Sequence, residues 1–103
     1  ARLAFIDFLR TFPGSPQADD AQLGLGDSYY NEGLWEQAEI EYSIFVQRYP
    51  RSEKLQDALL KKGLSLASSG QEEEAVDTFG DVVTMFPETL QALRAQEEID
   101  ARN

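Results

Sequence analysis

GDSYYNEGLWEQAEIEYSIFVQRYP, residues 26–50, carries landmarks that recur 37 residues away in both directions. Pro13, Pro50 and Pro87 keep that interval, each preceded by an aromatic at Phe12, Tyr49 and Phe86. So do Phe5, Tyr42 and Phe79, then Ala21, Ala58 and Ala95, then Ser15, Ser52 and Thr89, while Gly33 returns as Gly70. A fixed period of this length marks a repeat architecture, in which each unit buries its apolar face only by stacking on its neighbours.

Working outward, each interval holds two helical patterns. Leu34–Tyr49 places Ala38, Tyr42, Phe45, Val46 and Tyr49 on one stripe, the spacing of an amphipathic helix. Glu72–Phe86 repeats it with Ala75, Val76, Phe79, Val82, Val83 and Phe86. Before them, Pro16–Asn31 and Ser52–Ser69 read as helices, with Ser15 as N-cap of the first and Pro16 at its first helical position. Gly33 and Gly70 supply the turns, and the prolines end the second helix of each pair. Ala1–Phe12 forms a leading helix, and Thr89–Ala101 a last one with Leu90, Leu93 and Ile99 as its apolar residues. The expectation is an all-α, right-handed α-α superhelix of about six helices. Its units are an incomplete repeat at 1–13, full repeats at 14–50 and 51–87, and a C-terminal capping helix at 88–103. The small residues Ala21, Gly26, Ala38, Ala58, Gly63 and Ala75 sit where helix backbones approach closely.

Composition removes whole classes of function. The 103 residues include no cysteine and no histidine, so disulfides, thiolate metal sites, a cysteine nucleophile and the commonest general base are absent. A net charge of −10 repels nucleic acid over long range. No apolar run reaches the roughly 20 residues of a membrane span. The opening residues read as the middle of a helix, so a fragment or mature domain is expected, any targeting signal lying outside it. The pairs Asp19/Asp20 and Glu97/Glu98 are sequence neighbours, which point apart on a helix, so no acid–base site is expected. Glu72, Glu73 and Glu74 occupy the first turn of a helix, where carboxylates suit the dipole, and no metal or cofactor site is read there.

The landmarks Leu25-Gly26, Tyr29, Gly33, Ala38, Tyr42 and Pro50, repeated as Gly63, Leu66, Gly70, Ala75, Phe79 and Pro87, resemble the tetratricopeptide repeat. The 37-residue unit, its extra residues in FPGSPQADDA and YPRSEKLQDA, is similar to the C-terminal repeat domain of the YbgF/CpoB family of the Tol-Pal system, and less closely to the outer-membrane assembly lipoprotein BamD. Lys62 and Gln22 depart from the usual pattern, which favours leucine and an aromatic there. The resemblance implies a non-catalytic, periplasmic protein-interaction scaffold. YbgF-like partners would be TolA and peptidoglycan-synthesis proteins at sites of envelope constriction. The alternatives are a BamD-like structural subunit and a repeat segment of a larger cytoplasmic protein.

In tetratricopeptide folds the first helix of each pair lines the ligand groove. This implies a groove of Asp20, Leu23, Gly24, Asp27, Tyr30 and Asn31, joined by Asp57, Leu60, Lys61 and Leu64, suited to a peptide with apolar anchors and basic flanks. The other reading of these residues is an ordinary solvated face. Only Asn31 and Lys61 could clamp a terminal carboxylate, which disfavours chaperone-tail binding. Trp35 is expected to wedge the helices of its pair rather than stack on a ligand. Ala1, Phe5 and Phe8 lack the preceding helix that a repeat would place on them, so this stripe is expected to be covered, by a second copy or a swapped element, giving a homo-oligomer.

Overall fold

The computed structural model describes residues 2–102, and the expectation on Ala1 lies outside them. Six helices follow one another: α1 Arg2–Thr11, α2 Ala18–Asn31, α3 Trp35–Arg48, α4 Leu55–Ser68, α5 Glu72–Met85 and α6 Leu90–Ala101. Each packs chiefly on its neighbours in the chain, and the body measures 44 × 26 × 18 Å. That is an all-α stack of antiparallel helices in the manner of tetratricopeptide solenoids, with no strand among the described residues.

Two turns are set by glycine. Gly33 and Gly70 have φ of +75° and +88°, a region that only glycine occupies without strain. They let the chain reverse between α2 and α3 and between α4 and α5. Pairing then brings the small residues into use. A Cβ on Gly26 would lie 2.6 Å from the Tyr42 ring, and one on Gly63 the same distance from Phe79. The two aromatics, both fully buried, rest directly on helix backbone. Ala38, Ala58, Ala75 and Ala95 are buried beside them.

The helix starts differ from the reading above. Ser15 does not cap α2 directly: its hydroxyl accepts the Gln17 N–H at 3.1 Å, forming a tight turn, and the helix begins only at Ala18. Ser52 repeats this with Lys54 N–H at 3.1 Å, so α4 begins at Leu55. Thr89, in the same position of the interval, is a true N-cap, accepting the Ala92 N–H at 3.0 Å. In α6 the buried residues are Ala92 and Ala95, while Leu90 and Leu93 are 82% and 59% exposed. Gln22, where an aromatic is usual, is buried and donates its amide to the Glu41 carbonyl at 2.9 Å and carboxylate at 2.8 Å.

Phe5 and Phe8 do not form the open stripe of α1. Phe5 is half-buried, its ring against Gly24 of α2, where a Cβ would come within 2.6 Å. Phe8 is also half-buried, and the exposed large apolar residues here are Leu3 and Ile6 of α1 and Phe12 just past its end. The reason is rotation: α1 turns Phe5 onto α2, the helix it chiefly packs on among the described residues.

Candidate peptide-binding groove

Helices α2 and α4, one interval apart in sequence, are tied to each other by side chains. At the centre lies Asp27, whose Oδ1 accepts the Tyr42 hydroxyl at 2.6 Å and the Lys61 ammonium at 3.0 Å. Lys61 also meets Asp57 at 3.2 Å, one turn back on its own helix. Nearer the helix starts, Lys54 pairs with Asp20 at 2.9 Å, and Ser52 donates to Asp19 at 2.7 Å. Charged groups on this face are therefore joined in small networks.

Their environment shifts their protonation. Burial, then the hydrogen bond to Asp27, push the Tyr42 phenol far above its ordinary range. For Lys61, burial acts to lower the pKa, but the Asp27 hydrogen bond and the charges of Asp27 and Asp57 outweigh it and leave it raised. The hydrogen bond to Asp20, then its charge, raise Lys54.

The residues expected to line a groove do not all meet. Asp27, Asp57 and Lys61 converge as described, with Leu60 and Leu64 half-buried on α4 against the core. Tyr30 is half-buried, edge-on to Trp35 at 5.2 Å and to Tyr42 at 6.3 Å between ring centroids. Asn31 is exposed at the end of α2. Asp20 stands apart at the other end, beside a shallow pocket of ≈ 370 Å³ that Phe5 and Phe8 also line. Leu23 is no lining residue: it is 8% exposed and part of the core cluster. Gly24 is covered by the Phe5 ring. Leu23 is turned into the core and Gly24 toward α1, rather than outward.

Sequence reasoning placed Tyr42 in the core only, and left Lys54 and Ser52 out of this face. One signal was available: position 42 is Tyr with Asp27 before it, whereas one interval on it is Phe79 with Leu64. The hydroxyl and its acceptor change together.

Arg102 closes the far end, meeting Glu72 at 2.5 Å and Glu98 at 2.8 Å while its guanidinium lies 5.5 Å from the Phe79 ring centroid. No helix among the described residues is long and apolar enough to cross a membrane.

Comparison with curated proteins returns no match. Comparison with protein families matches residues 1–103, the whole chain, to YfiO, described as an outer membrane lipoprotein. The match falls on the second resemblance drawn from the sequence, the BamD-like one, and not on YbgF. With stacked helical hairpins and a full-length match in agreement, the chain belongs to the YfiO family of outer membrane lipoproteins.

Proposed function

We propose that the protein is a non-catalytic scaffold of an outer-membrane assembly complex, BamD-like, which holds a partner polypeptide along the face shared by α2 and α4. Family membership supports the cellular setting, the envelope. The observation that carries the binding face is the juxtaposition of Asp27, Asp57 and Lys61 with the half-buried Tyr30, Leu60 and Leu64. Aromatic and leucine surface flanked by fixed charges is the pattern of a peptide-binding face, in which a few apolar anchors supply most of the energy. Three carboxylates, Asp20, Asp27 and Asp57, against two lysines favour a partner with basic flanks.

The test is recovery of outer-membrane assembly proteins from envelope extract, quantified by mass spectrometry. Asn31→Ala with Asp57→Ala, which spares the core, and Tyr30→Ala with Leu60→Ala should each reduce recovery while circular dichroism stays helical. Unchanged recovery with both variants rejects this face.

The Tol-Pal reading, with TolA or peptidoglycan-synthesis proteins as partners, rests on the aromatic-Pro-x-Ser junctions at Tyr49–Ser52 and Phe12–Ser15. Enrichment of Tol-Pal proteins over assembly proteins in the same experiment would favour it.

A further inference from the structure

Nine cationic side chains share this chain with nineteen acidic ones. Among the described residues, six of them are in ion pairs: Arg2, Arg10, Lys54, Lys61, Arg94 and Arg102. Arg48, Arg51 and Lys62 have no carboxylate within ion-pair distance there. In a chain so rich in acid, that is the unusual condition.

Arg48 and Arg51 line one pocket of ≈ 470 Å³ at the junction of α3 and α4, together with Tyr49, Pro16 and Pro50. Tyr49 is half-buried, tilted against Phe45 with ring centroids 5.5 Å apart, and makes no side-chain hydrogen bond among the described residues. The pocket also holds one carboxylate, Asp19. Both its oxygens are engaged inside the protein, Oδ2 by the Ser52 hydroxyl at 2.7 Å and Oδ1 by the Asp20 N–H at 2.9 Å.

The repeat does not require these arginines. One interval later the same positions are Met85 and Glu88, and one interval earlier Thr11 and Gly14. Arg48 is in the last turn of α3, where a cation suits the dipole. That accounts for one arginine, and not for Arg51 in the loop beyond.

We propose that this pocket docks an acidic peptide segment of a partner protein, its carboxylate side chains gripped by Arg48 and Arg51 over the Tyr49, Pro16 and Pro50 surface. Guanidinium groups bind carboxylates through paired, charge-assisted hydrogen bonds. The Asp19 carboxylate disfavours a more highly charged phosphate. The surrounding charge of −10 disfavours a broad anionic membrane surface, whereas a single segment reaches the arginines within the roughly 8 Å screening length of physiological salt. The site is separate from the α2–α4 face, so its failure leaves that reading standing.

The experiment is fluorescence anisotropy of the full chain with a labelled peptide of alternating Asp, Pro and Leu, beside a version carrying Asn for Asp. Saturable binding of the acidic peptide, weakened by salt, is expected. Arg48→Gln with Arg51→Gln should lose about tenfold or more in affinity with a melting temperature close to wild type, while Lys62→Gln with Arg94→Gln, the same change of charge outside both faces, keeps it. The proposal is overturned by absent saturation, by equal binding of the Asn peptide, or by an arginine variant that binds as well as the wild type. It is overturned equally if vesicles of phosphatidylglycerol, and not the peptide, bind through these arginines.

Discussion

At Tyr42 a single hydroxyl joins the core to the charged face. Its ring is fully buried against Gly26, and its oxygen reaches Asp27, which in turn holds Lys61. The equivalent pair one interval on, Phe79 and Leu64, is apolar, so the repeat folds without that hydrogen bond. Tyr42→Phe should therefore leave the fold intact and cost about 1.5–3 kcal/mol, the net worth of a hydrogen bond to a charged group. Its clearer signature is at high pH. The phenol ionises near 10.0 in the unfolded chain and much higher when folded, so its contribution is fully present below pH 10 and is lost as pH rises beyond. Lys61, raised from 10.5, adds a loss in the same direction at slightly higher pH. Urea denaturation across pH 8–11 should show wild-type stability declining above about pH 10, with a shallower decline for Tyr42→Phe. An identical alkaline slope for both proteins would refute the linkage.

At the scale of the helices, α6 shows how packing chooses among apolar residues. Leu90 and Leu93 face solvent while Ala92 and Ala95 are buried against the stack. Close approach of backbones, not side-chain bulk, sets this contact, because α6 lies on α5 with alanine at the interface. Leu90→Gln with Leu93→Gln should thus change stability by no more than about 0.5 kcal/mol. Ala95→Leu, at a site with no free surface, should cost about 1–3 kcal/mol by overpacking. Thermal melts of the two variants measure the difference, and the reverse order would show that α6 is rotated. The helix starts are a related lesson. Ser15, Ser52 and Thr89 occupy one register, yet the two serines form turns ahead of their helices and only Thr89 is a cap. The loop at Thr89 follows Glu88, whose φ of +69° brings the chain into the helix two residues sooner.

Over the whole molecule, stability is carried between neighbours. Among the described residues contacts run chiefly from each helix to the next, with a weak link from α4 to α6. Removing residues 88–103 should therefore uncover α5, where Ala75, Phe79 and Val82 are wholly buried, and take away Arg102 from the Phe79 ring. The cost is on the order of 3 kcal/mol, one to two large apolar side chains returned to water, while α2 and α3 keep their own contacts. A urea midpoint equal to that of the full chain would show that α6 contributes nothing to the stack.

The interval of 37, the turn glycines, the closing prolines and the small residues at close approaches were legible in the sequence, because backbone conformation and helical periodicity are local properties. Six helices and their order followed from them. The groove was legible only in part. Which carboxylate meets Lys61, that Leu23 belongs to the core, that Phe5 rests on Gly24 and that Arg48 and Arg51 share a pocket all depend on how each helix is rotated against its neighbours. Rotation is settled by the packing of every helix in the stack at once, so only the tertiary structure decides which side chains meet.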